Sequence, residues 1–260
     1  MKYSRRLAVT SALTALLALG ACSTVPNDHS QPADVAAVND PFEPVNRVVF
    51  DVNDFLDRLL VRPLAELYRG LIPPPVRDRI AGIVHNMGEP VTFVNNVLQG
   101  EFTSAGITLG RLVVNSTAGV AGSFEVANDV GLLKQQGDFG QTLYTWGITN
   151  GGPYLVLPLL GPSNLRDAVG MGVDSYADPW HYVAQAGGNA IRDRYDIAYT
   201  VGAGIVKREE NIEGMDALRE GSLDFYAQMR SVFLQYRAKQ LGAAPTDTAP
   251  LFEDPETTAK

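Results

Sequence analysis

The stretch GGPYLVLPLLGPSNLRD, Gly151 to Asp167, fits neither of the usual environments of a soluble chain. It is too apolar for a solvent loop. Pro153, Pro158 and Pro162, with Gly151, Gly152 and Gly161, also spoil it as a regular helix. It closes a longer run, Phe139 to Leu165, that contains no Asp, Glu, Lys or Arg. Buried core is one explanation of such a run. A membrane boundary is another, because Tyr and Trp favour the headgroup level and the run carries Tyr144, Trp146 and Tyr154. Irregular backbone at membrane depth survives only inside protein or beside a water-filled cavity. The expectation is a domain lying within one leaflet, with Leu157 and its neighbours toward lipid or core. Arg166 and Asp167 then mark either a return to water, a channel wall or a surface helix start.

The N-terminus points to the same medium. Lys2, Arg5 and Arg6 precede an apolar core, Leu7 to Leu19, that is short of the roughly 20 residues a transmembrane helix needs. This is the pattern of a secretory signal peptide over residues 1–21. It ends Leu19-Gly20-Ala21-Cys22, which resembles the lipobox of bacterial lipoproteins, and Cys22 is the only cysteine in the chain. The resemblance implies cleavage before Cys22, a diacylglyceryl thioether on its sulfur and an N-acyl group on the new terminus. An incidental cysteine after an ordinary signal is the plain alternative. A lone cysteine in an exported chain has no internal disulfide partner, however, and lipidation gives it a use. No other cofactor is expected. Ser23 rather than Asp after the cysteine favours the outer membrane by enterobacterial sorting rules.

Removing residues 1–21 leaves 18 basic against 29 acidic residues, a net charge of −11. That charge excludes nucleic acid as a partner, since phosphates need a basic surface. It excludes simple electrostatic adhesion to anionic lipid as well. Residues 22–40 read as the lipidated cysteine and a flexible tether reaching about 25 Å, residues 241–260 as a disordered acidic tail, and residues 41–240 as one helical domain.

Within that domain the apolar period is helical almost throughout. Val45, Val48, Val49, Val52, Phe55, Leu56, Leu59 and Leu60 recur at three- and four-residue steps, with Asp40 as a candidate cap and Pro63 as a break or kink before a second helical stretch to Leu71. Pro73-Pro74-Pro75 stops the next helix. A further helix opens at Pro75 and is interrupted at Gly88-Glu89-Pro90 before ending near Gly100. Phe102 to Ser116, with Gly106 and Gly110, reads as a helix, as does Ile191 to Arg208. The last helix carries Phe225, Met229, Val232, Phe233 and Tyr236 on one face, with Ser222 as its cap. Strict alternation is scarce, so the fold class is mostly α. No mature segment offers 18 consecutive apolar residues, so a simple transmembrane helix is not expected.

Enzyme chemistry finds little footing. The three histidines, His29, His85 and His181, form no metal-ligand motif. There is no Gly-x-Ser-x-Gly elbow for a serine hydrolase, and Ser175 near His181 is no triad without geometry. Gly202-Ala203-Gly204 lacks the spacing of a nucleotide loop. Asn46, Arg47, Asn53, Asp54 and Asn115 are candidates for a polar passage, each with a solvent-face or capping alternative.

Several segments together resemble the MlaA (VacJ) lipoprotein family: Asn39-Asp40-Pro41-Phe42-Glu43-Pro44-Val45-Asn46-Arg47, Arg62-Pro63, Asn95-Asn96-x-Leu98-Gln99-Gly100, and Arg111 through Asn115. So do Gly137 through Leu143, Trp146-Gly147, Gly152-Pro153-Tyr154, Leu157-Pro158 and Gly161 through Asp167. The resemblance covers about Asn39 to Lys239. It implies a ring-like bundle of amphipathic helices embedded in the periplasmic leaflet of the outer membrane around a channel. It also implies removal of stray phospholipid from the outer leaflet, hand-over to the periplasmic lipid carrier MlaC, association with a trimeric porin, and no enzymatic step. A lipid hydrolase and a structural or porin-associated lipoprotein without transport are the other classes the residues admit.

The lipobox reading has a direct check. Cys22→Ser should abolish incorporation of labelled palmitate and release the protein from membranes on fractionation; a labelled, membrane-bound variant would remove the anchor from the account.

Overall fold

The computed structural model describes residues 40–242, all within one unit of the chain. The signal peptide, Cys22, His29 and all of the tether but Asp40 lie outside the described residues, as does the tail beyond Gly242.

The first helix, α1, runs Glu43–Leu56, with Pro44 in its first turn. Asp40 does not cap it with its side chain; that carboxylate is turned inward, as described below. Pro63 does not break the run. A π-helical turn, Asp57–Val61, absorbs the missing N–H, and the chain continues directly into α2, Arg62–Leu71. The triple proline then ends α2, and Pro74 opens α3, which runs without interruption to Leu98. The break expected at Gly88-Glu89-Pro90 does not occur, although Pro90 lies inside α3. A helix tolerates an internal proline where tertiary contacts hold both sides, and Glu89, Asn95 and Asn96 are buried there with side-chain hydrogen bonds to other elements. Next come α4, Phe102–Thr117, and the single turn α5, Val126–Asp129.

The quoted stretch is a β-hairpin followed by a helix. After α6, Phe139–Thr145, the strand β1, Tyr154–Leu157, pairs antiparallel with β2, Gly161–Asn164, in the register Tyr154 to Asn164 and Leu157 to Gly161. Its three prolines and its glycines sit at strand ends, at the tip or on the short second strand, where a missing N–H is tolerated. Asn164 caps α7, Leu165–Ala177, by accepting from the Asp167 N–H. Asp178 caps α8, Pro179–Ala186, in the same way through Trp180 N–H. The helices α9, Asn189–Glu210, α10, Ile212–Glu220, and α11, Phe225–Gln240, complete the fold. Asp224, not Ser222, caps α11, accepting from Ala227 N–H; Ser222 instead donates to the Arg219 carbonyl.

Contacts between elements form a closed circuit: α1 to α2 through the π turn, α2 to α9, α9 to α3, α3 to α6, α6 to α7, and α7 through the hairpin back to α1. A small apolar core pins the hairpin between the first and last helices. Tyr154 and Val156 of β1 point inward, with Phe50 of α1 and Tyr226 and Phe233 of α11 in edge-to-face contact at 5.2–6.1 Å with neighbouring rings.

The distribution of polarity is inverted relative to a water-soluble domain. Among the described residues nine apolar residues are buried against sixteen polar or charged ones. The apolar stripe of α1 and α2 faces outward: Val45, Val48, Val52, Phe55, Leu59, Leu60, Leu64, Leu67 and Leu71 are all exposed. A helical apolar stripe ordinarily faces a core. Here the outward face is the apolar one, and an exposed patch of this extent marks contact with a membrane or another protein. No helix of the described residues is long and apolar enough to cross a membrane.

The circuit closes tightly at α6 and α7. A Cβ built on Gly170 would lie 2.5 Å from the Gly140 nitrogen and 2.9 Å from its Cα. Backbone cannot yield as a flexible side chain does, so Gly170→Ala should cost about 1–3 kcal/mol of overpacking. The expected result is a fall of several degrees in melting temperature in detergent. Gly106→Ala, where an added methyl meets nothing within 4 Å, should leave the melt unchanged or raise it.

Candidate functional site

The interior is organised around one arginine. Arg237, in the last turn of α11, donates to both carboxylates of the opposing wall: to Asp167 at 2.8 and 2.6 Å and to Asp138 at 2.7 and 3.0 Å. Asp138 is at the same time the cap of α6, accepting from Gln141 N–H, and Asp167 lies in the first turn of α7. One guanidinium therefore holds the N-termini of two helices, where negative charge is also favoured by the helix dipole. Gly140 makes room for it: a Cβ there would lie 2.5 Å from Asp167 Oδ1 and 2.9 Å from Arg237 Nη2.

From this node a chain of uncharged donors and acceptors runs to α3. Gln99 donates to the Asp138 carbonyl and to Thr142 Oγ1, Thr142 donates to Asn95 Oδ1 at 2.9 Å, and Asn95 donates to Asp174 at 2.7 Å. Asp174 also accepts the Phe139 N–H. Burial pushes the Asp174 carboxyl above its ordinary range, against the opposing pull of these two donors. A second buried pair lies further along α3. Arg111 Nε donates to Glu89 Oε1 at 2.8 Å, with both side chains almost fully covered. Arg111 Nη1 goes to Asn128 and the Leu132 carbonyl, so Glu89 Oε2 is buried with no partner.

Two cavities open onto this interior. One, of about 320 Å³, is walled by amides, among them Asn96, Gln99, Gln136, Gln141 and Gln240, with Tyr144 at its edge. The other, of about 480 Å³, lies between α3 and α9 and includes Glu89, Lys134, Lys207 and Tyr236. The segment Lys134–Gln136 contributes to both. Among the described residues no group of three His, Cys, Asp or Glu could hold a metal.

The residues singled out from sequence fall in three places. Asn46 and Asn53, two helical turns apart on α1, face the free edge of β1. Asn46 donates to the Tyr154 carbonyl and accepts from Val156 N–H, both at 3.0 Å. Asn53 donates to the Leu157 carbonyl at 2.9 Å and accepts from Leu159 N–H at 2.8 Å. The two amides thus supply the ladder that a third strand would otherwise make, and hold Leu159 at φ 65°, a left-handed conformation that leucine rarely adopts. Arg47 sits at the seam of the first and last helices, on Asp224 at 2.7 Å and over the Tyr226 ring at 4.4 Å. Asp54 pairs with Arg58 and Arg219, and Asn115 accepts the Ala127 N–H at the start of α5.

In the quoted stretch, Arg166 and Asp167 are buried, so neither is a return to water. Arg166 donates to Asp167 at 2.8 Å, lies over the Tyr144 ring at 5.5 Å, and keeps Nη1 buried without a partner. Tyr154 is buried in the apolar core, its hydroxyl pushed above the ordinary range by burial. Trp146 is half exposed and donates its indole N–H to the Leu98 carbonyl, satisfying the end of α3. Leu157 is partly covered, while Leu159 and Leu160 at the hairpin tip are 78% and 66% exposed. Ser175 bonds its own helix at Met171 O, and His181 pairs with Asp196.

Sequence reasoning missed Asp40, Glu89 and Arg237. The Asp40 carboxylate is covered, accepting from Asn46, Tyr226 and Arg230 and so tying the start of the domain to α11. A signal was present for the other two. Glu89 is a single charge between Met87 and Val91 in an apolar stretch, and Arg237 follows Tyr236 on the apolar face of the last helix; charges so placed must be paired inside.

An exposed apolar stripe, a polar interior and a closed circuit of helices define a helical protein with its apolar faces turned outward, as in a domain embedded in a membrane leaflet. The comparisons place it within that class. The model of the MlaA lipoprotein family matches residues 38–240, and the chain belongs to that family. It is 30% identical to the intermembrane phospholipid transport system lipoprotein MlaA of Haemophilus influenzae over 87% of both chains. It is 33% identical to the Escherichia coli protein of the same name over 56% of this chain and 60% of that one, and 33% identical to an uncharacterized protein of Rickettsia felis over 78% of this chain and 77% of that one. A solved structure from work on the structural basis for maintenance of bacterial outer membrane lipid asymmetry aligns with a TM-score of 0.66 at 29% identity, covering 78% of this chain and 98% of that one.

The Arg237 node should dominate stability. Arg237→Ala strands Asp167 as a buried, under-paired charge, a loss of about 3–5 kcal/mol. The expected readout is a collapse of the cooperative melt, partly restored when Asp138 and Asp167 are both changed to Asn. Near-wild-type stability of the single variant would mean that water reaches the node.

Proposed function

We propose that this protein is a lipid-anchored outer-membrane component that moves phospholipid, with headgroups passing through its polar interior while acyl chains stay near its apolar exterior. The observation that carries this reading is the inverted polarity: sixteen polar or charged residues buried and the α1–α2 stripe exposed. A charged headgroup crossing hydrocarbon meets a barrier of several kcal/mol or more. A polar passage lowers it without any bond being made or broken, and direction follows from donor and acceptor concentrations. The named relatives in Haemophilus influenzae and Escherichia coli are intermembrane phospholipid transport lipoproteins, which supports the same substrate.

On this reading the domain rests in the periplasmic leaflet with the exposed leucines and valines in acyl chains and Trp146 near the headgroups. Cys22 carries the anchoring acyl groups. The donor is the outer leaflet, the acceptor a periplasmic carrier of the MlaC kind, and a trimeric porin covers part of the apolar flank. A purely structural lipoprotein would use the flank but would have no use for two cavities, one walled by amides and one carrying charges, lined in turn by the segment Lys134–Gln136. A hydrolase would need a nucleophile, and Ser175 is engaged with its own helix.

The test uses lipidated protein in asymmetric vesicles with purified carrier. Intact phospholipid should appear on the carrier; release of free fatty acid would replace transport by hydrolysis, and no movement with altered porin assembly would favour the structural role. Embedding has its own test. Leu159→Glu with Leu160→Glu alters exposed side chains, so the helical circular dichroism in detergent should match wild type. The acyl anchor keeps the variant on vesicles, but its hairpin tip should lose protection from added protease, since each charge at bilayer depth costs about 2.5–3.5 kcal/mol. A wild-type tip already open to protease would place the hairpin tip in water.

A further inference from the structure

The cavity between α3 and α9 carries a pattern of charge that the fold itself does not use. Arginines do almost all of the ion pairing in this protein. Arg47, Arg62, Arg69, Arg77, Arg208, Arg219 and Arg230 each bridge separate elements. The lysines do none of it among the described residues. Two of the three described lysines, Lys134 and Lys207, line this one cavity, both exposed at its rim. On its floor is Glu89, 3% exposed, with Oε1 on Arg111 and Oε2 buried and unpartnered. Glu210, at the same cavity, faces His85 at 3.5 Å. Val84, Ala203 and Tyr236 supply apolar wall between the charges.

A buried carboxylate oxygen without a donor is costly unless a ligand supplies one. Lysine is a compact, strongly hydrated point charge with freely rotating donors, suited to a phosphate that arrives and leaves rather than to a fixed bidentate pair. Two exposed lysines beside a buried carboxylate, with apolar wall between, match a zwitterion. Inorganic phosphate leaves Glu89 unanswered, and a simple cation leaves the two lysines unanswered.

We propose that this cavity is a headgroup station selective for a phosphodiester that bears a primary ammonium, carried by a phospholipid in transit. Lys134 and Lys207 hold the phosphate. Glu89 Oε2, with Glu210, accepts from the ammonium. A quaternary ammonium, which has no N–H to give, is a poorer fit. So is a glycerol headgroup, which has no positive charge. This rests on the phospholipid-transport reading above and adds a preference to it.

The probes are phosphatidylethanolamine, phosphatidylcholine and phosphatidylglycerol, presented one against another in mixed micelles to the full-length lipidated protein, with retained lipid counted by native mass spectrometry. Wild type should retain phosphatidylethanolamine over either competitor by about ten-fold, the scale of one charge-assisted hydrogen bond. Lys134→Ala with Lys207→Ala should weaken all three lipids together by a similar factor, because they share the phosphate. Lys239→Ala, which removes a single lysine charge outside both cavities, should match wild type. Glu89→Gln should erase the preference for ethanolamine while retention of phosphatidylglycerol persists. Because Gln also disturbs the pair with Arg111, Glu210→Gln serves as the second variant and should narrow the preference without altering the melt. Equal retention of all three lipids by wild type, or lysine variants indistinguishable from it, overturns the station while leaving transport standing. Failure of wild type to retain any phospholipid overturns the transport reading itself. Displacement of bound lipid by equimolar glycerophosphoethanolamine would assign the site to a water-soluble ligand and overturn the lipid source.

Discussion

The ion-paired node at Arg237 is the constraint on which the rest of the fold depends. A protein with lipid-facing outer walls cannot hide its apolar side chains in a core, because there are too few of them inside to drive folding alone. Its cohesion must come from polar groups that satisfy one another. Arg237 joins α11 to the starts of α6 and α7 in one step, and the amide chain through Gln99, Thr142 and Asn95 extends that hold to α3. Such a network is strong when complete and expensive when any member is missing. Gly140 and Gly170 follow from it, since the carboxylates reach the guanidinium only if the two helices touch at their backbones.

The hairpin shows the same logic at an edge. β1 and β2 form a two-stranded sheet, which is marginal alone in water. It is held on one face by Tyr154 and Val156 in the aromatic cluster, and along its free edge by the amides of Asn46 and Asn53. With Tyr154, Val156 and Leu157 of β1 and the Leu159 N–H held by these amides, the tip projects Leu159 and Leu160 outward. Asp40 closes the same region from the other side by drawing Tyr226 and Arg230 to the first helix. The same cluster thus seats an exposed apolar tip and joins the two ends of the domain.

Much of the helical content was legible in the sequence. The ends of α2 at the triple proline, of α4 and of α9 follow from local chemistry that acts within a few residues. The failures share a cause. Pro63 was read as a break or kink and Gly88-Glu89-Pro90 as an interruption because a proline removes a backbone bond, but the helix carries on through a π turn just before Pro63, and past Pro90 it is held by Arg111 and the anchors of α3. Asp40 and Ser222 were read as caps from position alone, whereas the caps are decided by which side chain the tertiary contacts leave free.

The sequence alone determined which segments need an apolar environment. The uncharged run from Phe139 to Leu165 and the stripe of α1 are properties of composition and period, and they indicate an apolar environment before any fold is known. Which way that stripe faces was not. A period of 3.6 places apolar residues on one side of a helix but does not say whether that side meets a core or a membrane. Only the tertiary structure settles this, because Arg237, Asp138 and Asp167 are 70 to 99 residues apart in pairs that meet inside. Once those charges are drawn together, the interior is polar, and the apolar faces have nowhere to go but outward.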